Sequence, residues 1–325
     1  MNNQVFKFEM PQNEPTNSFV KGSKEREAVI AELKRLSSQE IEIPVIIGGK
    51  EIRTGNTDKV VMPHNHHKAL ATYHKAGEKE IKMAIEEALK AKKMWEDLPF
   101  IERASIMLRA ADLLSTKYRS LILASTMLGQ NKNIYQAEID AACETIDYLR
   151  YNTYFASKIY SEQPRSMSGQ LNFIEYRPLE GFVFAVTPFN FTAIASNLNM
   201  APALMGNTTI WKPSRTALFS NYFLMQIYKE AGLPDGVLNF LPGQGSTIGD
   251  IVLSHKDLGG LHFTGSNETF NSLWQQISNN LRNYRSYPRI VGETGGKDFI
   301  FVHNSADPLE VASSIVRGAF EFQGQ

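Results

Sequence analysis

The chain holds a single cysteine, Cys143, in 325 residues. One thiol excludes an internal disulfide framework. Neither sign of charge is in excess, since Lys plus Arg and Asp plus Glu number 34 each. No overall basic field therefore favours nucleic acid or anionic lipid as a partner. No apolar run approaches the length that spans a bilayer. Residues 1–23 are polar, carry acidic residues and lack the apolar core of a signal peptide, so a cytoplasmic protein is expected. Internal repeats and low-complexity segments are absent, and there is no strong Gly-x-Gly-x-x-Gly fingerprint. His64, His66 and His67 stand in a Pro63-flanked stretch with no carboxylate or cysteine set beside them. That pattern is a surface loop, so no metal is expected.

What is present is globular composition, with 42% hydrophobic and 21% charged residues. The length allows two domains. Residues 1–60 read as a polar, irregular N-terminal arm with one helix over 24–37 and a short strand over 43–47. Apolar residues at helical spacing then predict a helix over 78–95, carried by Ile81, Ala84, Ile85, Ala88 and Leu89. Further helices are predicted over 101–114, 119–128 and 134–154. Cys143 falls in the last of these and reads as a buried structural thiol.

After about residue 170 the pattern changes. Buried-strand runs at 182–186, 208–211, 237–241 and 260–263 alternate with helical segments at 192–204, 217–231 and 246–254. This alternation predicts a parallel sheet covered by helices, which binds ligands beyond the carboxyl ends of its strands. Residues 171–178 alternate apolar and polar, as a half-exposed edge strand does.

Four segments carry chemistry. Thr187-Pro188-Phe189-Asn190-Phe191 follows the first buried strand; Asn190 could cap the next helix or offer its NH2 to a ligand. Lys212 ends the next strand in Trp211-Lys212-Pro213-Ser214, where it is either a solvated loop charge or a ligand contact. Phe263-Thr264-Gly265-Ser266 precedes a helix whose free N–H groups suit a pyrophosphate. Glu293-Thr294-Gly295-Gly296-Lys297 sets a carboxylate beside a glycine pair.

In their order and intervals these segments, with the terminal Gly324-Gln325, resemble the aldehyde dehydrogenase superfamily. Gln136-Ala137-Glu138-Ile139-Asp140, Pro188-Phe189-Asn190-Phe191-Thr192 and Ala319-Phe320-Glu321-Phe322 are similar to its 1-pyrroline-5-carboxylate (L-glutamate γ-semialdehyde) dehydrogenase branch. The resemblance implies a Rossmann-type α/β NAD-binding domain over 61–292 and the start of a second, catalytic α/β domain over 293–325. It implies Asn190 as oxyanion donor and Glu293 as the base that activates water. Thr187, Pro188, Phe189, Lys212, Ser214, Gly265 and Ser266 become cofactor contacts, and Phe191 and Glu138 substrate contacts. For Glu138 the plain alternative is an exposed helical carboxylate. NAD is the implied cofactor, although Arg215 stands where the family usually has an acid and leaves NADP open. A segment near 160–180 becomes a flap that pairs with a second copy, so a homo-oligomer is expected. The family's nucleophilic cysteine falls two positions past Gln325. These 325 residues alone are therefore expected to be inactive, with an exposed apolar face on the helix over 308–322.

Overall fold

The computed structural model describes residues 7–296 and 298–322. Lys297 of the Glu293 segment and the closing Gly324-Gln325 lie outside the described residues. The chain runs α1 (Lys24–Ser37), β1 (Ile41–Ile43), β2 (Val45–Ile47), β3 (Lys50–Ile52), β4 (Thr57–Met62) and β5 (Asn65–His74). A helical block follows: α2 (Glu78–Asp97), α3 (Phe100–Ser115), α4 (Arg119–Gln130), α5 (Ile134–Ala137), a π-helical turn (Glu138–Glu144) and α6 (Thr145–Ser161). Then come β6 (Phe182–Val186), α7 (Thr192–Leu204), β7 (Thr209–Lys212), α8 (Leu218–Glu230), β8 (Leu238–Phe240), α9 (Gly245–Leu253), β9 (Leu258–Gly265), α10 (Asn267–Asn279), β10 (Arg289–Thr294) and α11 (Pro308–Ala319).

Strand–helix alternation yields the expected parallel sheet, in the order β10-β9-β6-β7-β8, with β2 and β3 added antiparallel beside β8. A separate three-stranded sheet has the order β1-β5-β4. Successive side chains point to opposite faces, and the inner strands β6, β7, β8 and β9 are buried on both, whereas β10 and β3 at the edges are largely exposed. Ile210 packs with Phe182, Phe184 and the α2 residues Ile81 and Ile85, whereas Trp211 joins the core formed by α3, α4, α7 and α8. Gly181 introduces β6 at φ +90°, and a Cβ there would lie 1.8 Å from the Asp257 carbonyl oxygen. Only glycine lets β6 enter beside β9 at that point.

Four expectations are corrected. The first sixty residues are more than an irregular arm: Val45, Ile46 and Ile47 are buried in the large sheet. The single strand expected over 43–47 is two strands in two sheets. Pro44 separates them, because it has no N–H to continue a ladder. The helix expected over 134–154 is interrupted by the π-helical turn. Residues 171–178 form no strand. Leu171, Phe173 and Ile174 are exposed, and no neighbouring strand offers a ladder. β10 runs across residue 292, and Glu293 and Thr294 pair with Thr264 and Gly265 of β9.

Candidate active site

The turn after β6 is built by its neighbours. The Trp211 indole N–H donates to Thr187 Oγ1 at 3.0 Å, tying this turn to β7. Phe191 is the N-cap residue of α7 and has no side-chain acceptor to offer its amides. Asp140, from the π-helical turn, supplies one: its carboxylate accepts from the Thr192 amide at 3.0 Å and the Ala193 amide at 2.9 Å. Asn190 is therefore not the helix cap, which removes its plain reading.

Asn190 instead lines a cavity of about 260 Å³ with Gln130, Lys132, Phe189 and Phe322. Lys132 Nζ sits 2.7 Å from Asp140 Oδ2 and 3.9 Å from the Phe191 ring centroid. Phe191 and Phe322 meet edge to face at 5.9 Å. Burial pushes the Asp140 carboxyl up and the Lys132 ammonium down. The carboxylate accepts from three N–H groups and donates to none, so this geometry fits the charged pair. Behind the pair, Gln130 donates to Thr192 Oγ1 at 2.8 Å and to Ser220 Oγ at 3.1 Å, which fixes its amide.

Glu293 stands near the carboxyl end of β10 and accepts from Thr264 Oγ1 at 3.1 Å. β6 and β10 flank β9, so this carboxylate and the turn after β6 are two strand spacings apart, roughly 9–10 Å. Tyr148 on α6 feels the Glu293 charge. Its hydroxyl is pushed up by burial first, then by Glu144, Glu293 and Asp140. Glu144 is itself raised by burial and by Asp140. Lys132, Asp140, Glu144 and Tyr148 were not singled out from sequence. Asp140 lies within a segment that was, but nothing in the pattern indicated that it reaches α7.

A second, larger cavity of about 520 Å³ opens at the carboxyl ends of β6 and β7, lined by Val186, Lys212, Gly245, Ser246, Glu268 and Leu273. Lys212 has no acidic or hydrogen-bonding partner among the described residues, and burial alone pushes its ammonium down. A Cβ on Gly245 would stand 3.8 Å from Lys212 Nζ, so the ammonium lies beside the first turn of α9. That helix has no side-chain N-cap. A half-buried cation and uncapped amides together suit a ligand rich in oxygen acceptors.

The remaining expected residues are more scattered. Ser266 caps α10, accepting from the Thr269 amide at 3.2 Å, and Gly265 packs against the Phe263 ring. Ser214 precedes the 3-10 turn Arg215–Ala217. None of these three, nor Thr187 and Pro188, is a wall of either cavity. Arg215 is exposed and faces Asp58 at 3.9 Å. Glu138 is not the exposed carboxylate of its plain reading, being only 1% exposed. It binds Arg119 and accepts from the Asn17 amide at 2.7 Å, so it faces the N-terminal segment and not the Asn190 cavity. Cys143 is buried as expected, and burial with Glu138 pushes its thiol to about 11. No group of three or more potential metal ligands exists among the described residues. No helix among them is long and apolar enough to cross a membrane.

The aldehyde dehydrogenase family model matches residues 52–325. The chain belongs to that family. It is 50% identical over 328 residues to the probable delta-1-pyrroline-5-carboxylate dehydrogenase of Schizosaccharomyces pombe, covering 99% of this chain and 60% of that one. It is 49% identical to the mitochondrial delta-1-pyrroline-5-carboxylate dehydrogenase of Dictyostelium discoideum, covering 97% and 57%. The crystal structure of the Mycobacterium tuberculosis delta-pyrroline-5-carboxylate dehydrogenase bound with NAD superposes at a TM-score of 0.97 with 49% identity. It covers all of this chain and 61% of that one. This aldehyde dehydrogenase chain thus spans about 60% of the length of the curated relatives that it matches. Its fold agrees with the expected α/β class.

Proposed function

We propose that this chain is the cofactor-binding part, with two catalytic groups, of an NAD-dependent L-glutamate γ-semialdehyde dehydrogenase. The observation that carries the cofactor assignment is Lys212. An unpartnered, half-buried ammonium beside an uncapped helix, in a cavity at the carboxyl ends of parallel strands, suits a dinucleotide. The substrate assignment rests on the relatives' names.

When bound, NAD supplies the hydride acceptor. Lys212 and the α9 amides would hold its oxygen atoms. Asn190 directs its side-chain NH2 at the oxygen of the aldehyde as negative charge develops there, an interaction worth about 3–4 kcal/mol of barrier in comparable sites. Phe191, with Lys132 over its ring, walls the aldehyde chain. Glu293 takes a proton from the water that releases the carboxylate product. The thiolate comes from outside these 325 residues. Cys143 cannot supply it, being buried and with its thiol held near 11. These residues alone therefore bind NAD without turning over aldehyde.

The same reading includes a homo-oligomer. The exposed Leu171, Phe173 and Ile174 give a second copy an apolar segment to pair with.

The test compares glutamate γ-semialdehyde with succinate semialdehyde as substrates for the product of the complete coding sequence, following NAD reduction. Faster turnover of glutamate semialdehyde is expected. Preference for the succinate compound would replace the substrate, and NAD binding without any aldehyde oxidation would leave only a cofactor-binding protein.

A further inference from the structure

Asp140 is fully buried on the π-helical turn, 8 residues past Lys132 and 52 residues before Thr192. Its two oxygens accept from Lys132 Nζ at 2.7 Å, the Thr192 amide at 3.0 Å and the Ala193 amide at 2.9 Å. The two amides begin α7, directly after Asn190 and Phe191. The ammonium lies over the Phe191 ring, 3.9 Å from its centroid. One carboxylate thus fastens two walls of the same cavity. A π-helical turn inserts an extra residue and so re-aims the side chains that it carries, a device frequent at functional sites.

We propose that Asp140 is a positioning residue for the aldehyde site, fixing Asn190 and Phe191 through the α7 amides and setting Lys132 across from them. This inference rests on the reading of Asn190 as the oxyanion donor. Asp140 itself lies behind the cavity wall and touches no reacting atom. Its charge is used twice. It satisfies a helix end that has no cap of its own, and it holds the Lys132 cation against the Phe191 ring. A buried pair kept only for stability would need the lysine but not the two amides.

The experiment uses the product of the complete coding sequence with three variants: Asp140→Asn, Asp140→Glu, and Asp140→Asn combined with Lys132→Met. Readouts are kcat and KM for aldehyde oxidation, together with amide exchange of the peptide spanning 190–196. Misplacing the donor by about 1 Å costs on the order of 100-fold, so kcat should fall about 10- to 100-fold in both single variants. KM should stay within about threefold, since the donor acts mainly in the transition state. Exchange at Thr192 and Ala193 should accelerate. The double variant should not recover, because balancing the charge does not restore the amide contacts. Asp140→Glu keeps the charge and loses the position, so it tests the proposal even where Asp140→Asn fails to fold. Unchanged kcat in Asp140→Glu, or full recovery in the double variant, overturns the proposal. If the wild type oxidises a different aldehyde, the substrate reading fails and the same comparison is made with that aldehyde. If the wild type oxidises none, amide exchange decides alone, and unaltered exchange in Asp140→Asn and Asp140→Glu refutes the clamp.

Discussion

Replacing Lys212 by Met separates ligand binding from stability, because the two effects have opposite signs. The ammonium is pushed down by burial with no charged partner to offset the cost. A group whose folded pKa is depressed below its unfolded value destabilises the fold when charged, and that cost is relieved as pH rises through the folded pKa. Methionine has similar length and no charge, so near neutral pH the ligand-free Tm should stay level or rise. The ligand side goes the other way. A hydrogen bond from a charged donor is worth about 1.5–3 kcal/mol, which corresponds to roughly 10- to 150-fold in Kd. Calorimetric titration of the 325-residue chain with NAD, beside a thermal melt of each variant, reads both quantities. A Kd within about twofold of wild type would refute the assignment of this cavity to the cofactor. A clear fall in the ligand-free Tm would refute the argument that Lys212 is an unpaid burial cost.

Three further outcomes follow from particular contacts. Gly181→Ala should destabilise by more than about 2 kcal/mol in denaturant titration, since a Cβ would meet the Asp257 carbonyl oxygen at 1.8 Å from a left-handed backbone. Cys143 should resist iodoacetamide in the folded chain and react readily in denaturant; a thiol near 11 against an ordinary 9.0 holds about 100-fold less thiolate at neutral pH, before burial is counted. Glu144→Gln should raise stability at pH 7 and lose that advantage in acid. The Glu144 carboxyl is raised in the folded state, so its charged form is a cost above that range, and the cost vanishes below the ordinary carboxyl pKa. Equal denaturation midpoints for the two chains at pH 7 would count against it.

The parallel sheet was legible because its strands are short apolar runs set between helical segments, as at Phe182–Val186 and Leu258–Gly265. Lys212 and Asn190 stood out in the sequence for a related reason: Lys212 ends β7 and Asn190 follows β6, at the carboxyl ends where such sheets place ligands. Other features depended on distant partners. Val45–Ile47 reads like its neighbour Ile41–Ile43, and only Pro44 hints that the two enter different sheets. Residues 171–178 have strand periodicity, yet periodicity cannot supply the neighbour that a strand requires. Asp140 carried no local signal, because its three partners come from a loop and a helix outside its own segment. Glu138 could be read as exposed or as a site residue, and its burial came from Arg119 and from a backbone amide 121 residues away.

The edge of the large sheet sets a schedule for synthesis. Gly48, just past β2, donates its amide to Asn239 Oδ1 across 191 residues of sequence, and β2 pairs with β8. At about 5–20 residues per second, a ribosome needs roughly 10–40 s to make the intervening chain. Through that interval Val45, Ile46 and Ile47 have only the short β3 to pair with, although all three end up buried. This apolar segment of the sheet is therefore completed only when β8 has been made, and the nascent chain carries an adhesive stretch through that interval.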